Sequence, residues 1–131
     1  MKSIKDLVVS EKIVEQEFPG IPTFKVRLKY QGRQAIRELA KKATVHSIGP
    51  DMKKTEKLDI ELFNTMFIRS CVLGWSGLTM DVLSKFVLID TPENPDEEVP
   101  FSVENAEFLL SSSELFDRFI NETVSNLDIF R

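Results

Sequence analysis

A chain of 131 residues that is 42% apolar, with ten Phe, can fill one hydrophobic core, and its 29% of charged residues keeps the surface wet; that size excludes two well-packed domains. No window reaches about 18 uninterrupted apolar residues and the start, Met1-Lys2-Ser3-Ile4-Lys5-Asp6, lacks a long apolar stretch, so the expectation is a cytosolic protein without a membrane span. The net charge of -4 conceals a split: residues 25–42 carry seven cations against Glu38 alone, net +6, whereas residues 90–122 carry ten carboxylates against Arg118 alone, net -9.

Residues 1–22 read as an N-terminal arm, because Leu7, Val8, Val9, Ile13 and Val14 are interrupted by charges and the segment ends in Phe18-Pro19-Gly20-Ile21-Pro22. The rest, 23–131, reads as one helical domain. Phe24, Val26, Leu28 and Tyr30 alternate with Lys25, Arg27 and Lys29, which is a half-buried strand by period; its partner is either Ile13 to Phe18 folded back as a hairpin or a strand from another subunit. Ile36, Leu39, Ala40 and Ala43 then mark a helix over about 33–44, with Arg33, Arg37 and Lys41 on its outer face. After a loop through Ser47-Ile48-Gly49-Pro50, Thr55 is placed to cap a second helix from about Glu56 to Leu73, whose apolar residues cover most of its circumference and make it the central one.

Gly74 and Gly77 bracket Trp75, the only Trp, and let the helix stop with the indole folded over its last turn. A short helix is expected over about Thr79 to Leu88, then an exposed, mobile, acidic loop from Asp90 to Pro100. Ser102 caps a helix over about 103–111. Ser111-x-x-Glu114 resembles a capping box for the last helix, in which Phe116, Phe119, Ile120, Thr123, Leu127 and Phe130 recur at steps of three and four. The expected fold class is therefore mainly α, four or five amphipathic helices with a short N-terminal strand or hairpin.

The chemistry-bearing residues are few. Cys71 is the only cysteine, which excludes an intrachain disulfide and a cysteine-based zinc site, and its apolar neighbours point to a buried thiol. His46 is the only histidine and has no nucleophile elbow beside it. Glu93, Asp96, Glu97 and Glu98 lack the spacing of a calcium loop, and the scattered glycines form no phosphate loop. The expectation is no enzyme, no metal and no cofactor. The basic stripe of Lys25, Arg27, Lys29, Arg33, Arg37 and Lys41 offers an alternative function as a small nucleic-acid-binding regulator. That alternative is disfavoured, because Phe24 and Tyr30 lie on the opposite strand face and leave the cations without stacking rings.

In order, the Phe24 to Tyr30 strand, the helix after it, Gly74-Trp75-x-Gly77-Leu78, Val99-Pro100-Phe101-Ser102 with Asn105 and Leu109-Leu110, and the closing aromatic helix resemble the tail assembly chaperones of long-tailed, siphovirus-type bacteriophages. The resemblance spans about residues 20–131, and the segment from Leu78 to Pro100 is longer than the common pattern. It implies a small helical protein, made late in the host cytoplasm, that coats the tape measure protein until tail-tube subunits replace it and is absent from the virion. It also implies a companion form, extended by programmed frameshifting, that recruits the tube subunit. On this reading Trp75 and Phe101 are structural or groove-lining, and Leu109, Phe116 and Phe119 contribute an apolar surface for a helix. Weak self-association through opposite charge is the expected accompaniment.

Overall fold

A computed structural model describes residues 3–7 and 12–131. After a single helical turn, Ile4–Leu7 (α1), the chain forms a hairpin of Ile13–Phe18 (β1) and Ile21–Lys29 (β2). Pro19 and Gly20 make the turn, Gly20 at φ +83°, which is the order of residues that a tight turn with a left-handed second position requires. Of the two partners open to the strand of period two, it therefore pairs with Ile13 to Phe18 of its own chain. On its other side β2 pairs antiparallel with Val72–Ser76 (β5), giving a three-stranded sheet in the order β1-β2-β5.

Two further strands, Thr44–Ile48 (β3) and Lys54–Leu58 (β4), form a separate hairpin between the helices Arg33–Lys42 (α2) and Ile60–Cys71 (α3). Among the described residues the fold is thus mixed, with 26% strand in two antiparallel sheets and 40% helix, and the expectation of a mainly α protein is overturned. The expected helix over 56–73 is where the difference arises. Leu58, Ile60, Leu62, Val72 and Leu73 contributed to its apparent all-round hydrophobicity, yet Leu58 belongs to β4, Val72 and Leu73 belong to β5, and Ile60 and Leu62 face solvent. Asp59, not Thr55, caps α3, its carboxylate accepting the Leu62 N–H at 3.1 Å.

Beyond β5 the helix Met80–Leu83 (α4) is a single turn capped by Thr79, shorter than the expected helix to Leu88, and it continues as turns that bury Phe86. The acidic loop is exposed over 93–98, as its composition demands, but it is fastened down. Met80 N–H donates to Glu97 O at 2.8 Å, Asp81 N–H to Pro95 O at 3.0 Å and Val99 N–H to Leu78 O at 2.6 Å, so three main-chain hydrogen bonds tie it to the start of α4 and to Leu78. The last two helices, Val103–Ser112 (α5) and Glu114–Val124 (α6), begin at Ser102 and Ser113, whose hydroxyls accept from Asn105 and Phe116. Ser113 therefore caps α6 where a capping box from Ser111 was expected.

One core joins these elements. Phe24, Val26 and Leu28 project from the inner face of β2 onto Phe67, Ile68 and Cys71 of α3, and the inner faces of α5 and α6 close over them. Gln31 is buried at the junction: its N–H donates to Val124 O at 2.8 Å and its side-chain amide to Ser70 O at 3.4 Å, so the end of β2 is tied to both α6 and α3. Among the described residues no helix is long and apolar enough to cross a membrane.

Candidate functional site

The most site-like feature is a groove of about 410 Å³ between the β1–β2 turn and the outer side of α6. It arises from the way α6 distributes its residues. Phe116, Phe119, Ile120, Thr123 and Val124 fall on one face and are buried, leaving Leu115, Arg118 and Glu122 on the flank. The hairpin leans against that flank through Phe18, whose ring lies 4.8 Å from Phe119 and 4.9 Å edge-on to Phe86. Phe18, Phe119, Thr123 and Ile129 make an apolar lining, while Gln16, Arg118, Glu122 and Asn126 give a polar rim of both signs. Leu115 at one end is 51% exposed, and Arg118 is held toward Glu114 at 2.9 Å. An apolar lining with a mixed polar rim is chemically suited to apolar groups flanked by polar ones.

Of the residues singled out in the sequence, Phe119 lines this groove. Leu109 and Phe116 are core residues, Phe116 with no exposed surface. Trp75 and Phe101 lie elsewhere, on the other side of the core: the two rings meet edge to face at 5.0 Å, Trp75 also stands 6.3 Å from Phe24 and Phe116, and its indole N–H donates to Val99 O at 3.0 Å. This arrangement bolts β5 to the 99–101 segment and to α6. Gly74 lies on the outer sheet face opposite Arg27, and Gly77 at φ +75° ends the β5 run. The groove-forming Phe18, Pro19 and Leu115 were not singled out as a site, because nothing local in the sequence says that the first hairpin meets the last helix.

The basic stripe is divided. In the sheet, Lys25 stands directly opposite Glu17 and Arg27 opposite Glu15, so β1 supplies a carboxylate across from each of these cations and lowers the positive potential of that face. Lys29 is opposite Ile13. Arg33, Arg37 and Lys41 are exposed along α2. His46 is also exposed, in β3, with its Nδ1 3.5 Å from Glu56.

Cys71 is fully buried, and desolvation pushes its thiol far above the ordinary range against a smaller opposing effect from a backbone hydrogen bond. In the unfolded chain the thiol ionises near its ordinary value of 9.0; in the folded chain it stays protonated. The unfolded state then binds fewer protons at high pH, so this contribution is fully present at neutral pH and is lost as pH rises above about 9, with a limiting slope of ~1.4 kcal/mol per pH unit. The expected result is a steeper alkaline loss of stability in the native sequence than in Cys71→Ala, measured as the difference between their denaturation curves at pH 8 and pH 10. Parallel losses would show that the thiol ionises equally in both states.

Compared with protein-family models, curated proteins and solved structures, the chain matches none.

Proposed function

We propose that this protein is a tail assembly chaperone of a long-tailed bacteriophage, which binds and coats the tape measure protein in the host cytoplasm and leaves before the virion is complete. The observation that carries the reading is the groove along α6, with Phe18 and Phe119 in its lining and Arg118 and Glu122 on its rim. The order of the β2 strand, the Gly74-Trp75-x-Gly77 sequence, which lies in and just after β5, the Val99-Pro100-Phe101-Ser102 helix start and the closing aromatic helix adds the family resemblance. A tape measure is a long helical chain with apolar stripes, which aggregates when uncovered, and a groove that takes in side chains from one helix face shields such a stripe. Each contact is small, so a row of copies coats by multiplicity and still releases when tube subunits compete. A frameshift-extended companion would bring those subunits.

Co-expression with the tape measure protein tests this. The tape measure should become soluble with the chaperone and stay bound in a pull-down through rising salt, because apolar burial resists screening. Leu115→Lys, at an exposed position, should leave thermal stability within about 0.5 kcal/mol of the native sequence while weakening capture about tenfold. A tape measure no more soluble with the protein than without it, or a complex that dissolves in moderate salt, removes the proposal.

A further inference from the structure

The β3–β4 hairpin stands apart from the core. Residues 45–48 and 50–62 are all exposed, and Val45, Ile48, Met52 and Leu58 are among the exposed large apolar side chains, Ile48 at 65%. Two strands alone are marginal in water, where a sheet needs at least about three. Its two outer edges differ. β4 reads Lys54-Thr55-Glu56-Lys57-Leu58, with the charges that normally protect an edge, whereas β3 reads Thr44-Val45-His46-Ser47-Ile48, uncharged apart from histidine, rich in β-branched residues and free of proline.

The backbone of β3 is aimed outward at defined positions. Asp59 N–H donates to Ala43 O at 2.8 Å, and Gly49 N–H donates to Lys53 O at 3.1 Å. Hydrogen-bonded pairs alternate along an antiparallel ladder, so Val45 and Ser47 turn their main-chain groups toward β4. The N–H and C=O of His46, the N–H of Ile48 and the C=O of Thr44 are directed away from it.

We infer that the outer edge of β3 is a self-association edge, occupied by β3 of a second copy in antiparallel register about a two-fold axis through His46. In that register each His46 exchanges both main-chain hydrogen bonds with its counterpart, and Ile48 N–H meets the Thr44 C=O of the other copy. The side chains match as well. Ile48 lies beside the Thr44 methyl and toward Leu58 of the second copy, and Val45 lies beside Ser47. No Lys, Arg, Asp or Glu stands on either β3 at the seam, and the central row runs Glu56–His46–His46–Glu56, a carboxylate flanking each imidazole, as His46 and Glu56 already stand 3.5 Å apart in one chain. The product is a continuous sheet in the order β4-β3-β3-β4 whose outer edges are both the charged strand, so association closes at the dimer. This inference is independent of the chaperone reading.

Sedimentation of the full chain over a concentration series tests it. The native sequence should pass from monomer to dimer in the ~0.1 mM range expected of a small interface. His46→Pro removes an outward N–H without touching a β3–β4 hydrogen bond, a placement edge strands tolerate, and should weaken association at least about tenfold with unchanged circular dichroism. Independently, His46→Cys should form a covalent dimer under mild oxidation, because directly opposed residues in this register lie about 5.5 Å apart between Cα atoms, within disulfide reach. Lys53→Cys, at the turn end that points away from the axis, should cross-link far more slowly, and buried Cys71 not at all. A native chain that stays monomeric to about 1 mM, a His46→Pro variant that dimerises as well as the native sequence, or equal cross-linking at positions 46 and 53 overturns the inference.

Discussion

Gly77→Ala is expected to leave little folded protein. A Cβ at position 77 would sit 1.7 Å from the carbonyl oxygen of Thr23 and 2.7 Å from its carbonyl carbon, both backbone atoms of β2 that cannot rotate away. The residue also holds φ at +75°, where an L side chain costs roughly 1–2 kcal/mol before any clash is counted. Relief requires β2 and the end of β5 to separate, and β2 carries Phe24, Val26 and Leu28 at the centre of the core. The loss should be about 4 kcal/mol or more, a large part of the ~5–15 kcal/mol that keeps a domain folded. Gly74 is the internal control: nothing lies within 4 Å of its would-be Cβ and its φ is not positive, so Gly74→Ala should shift stability by no more than about 0.5 kcal/mol. Chemical denaturation of the two variants gives the comparison, and equal effects would refute the close approach of Gly77 to β2.

Trp75→Ala should cost about 3–5 kcal/mol. The indole is half-buried, yet it touches three other rings from three parts of the chain, Phe24 of β2, Phe101 ahead of α5 and Phe116 of α6. Truncation leaves a cavity among them and strands the Val99 carbonyl that the indole N–H now satisfies at 3.0 Å. Trp75→Phe separates the two effects: it keeps most of the apolar volume and loses the hydrogen bond, so its cost should be nearer 1–2 kcal/mol. Fluorescence adds a second reading, since the single Trp should show a blue-shifted emission that moves red on unfolding. A change within about 0.5 kcal/mol for Trp75→Ala would make it a surface residue and return it to consideration as a contact for a partner.

Both substitutions act through contacts between distant parts of the chain, and that is also where the sequence stops being informative. Local pattern is enough for β2, because alternation of Phe24, Val26 and Leu28 with Lys25, Arg27 and Lys29 allows one buried face only. It is enough for the start of α5 at Ser102 and, two residues early, for that of α6, where the pattern points to Ser111 as the cap and Ser113 is the cap, and for the buried face of α6 at Phe116, Phe119, Ile120 and Thr123. Phe119 of the groove was therefore legible, although the groove itself was not.

Three-dimensional context decided the rest. Leu58, Ile60 and Leu62 look like one apolar helix with Phe63, Phe67 and Ile68, but only Phe67 and Ile68 of that run become fully buried. Val72 to Ser76 leaves the helix because the unpaired side of β2 offers a ladder of main-chain hydrogen bonds, a gain that no window around Trp75 contains. The same holds for the hairpin at 44–58 and for the meeting of Phe18 with Phe119 across the molecule. The sequence by itself determined which side of β2 and of α6 must be hidden and where the last helices begin, since side-chain periodicity and capping are properties of neighbouring residues. Tertiary structure alone decided which backbone pairs with which and which apolar residues stay in water, because hydrogen-bond partners and burial depend on segments that are close only once the chain has folded.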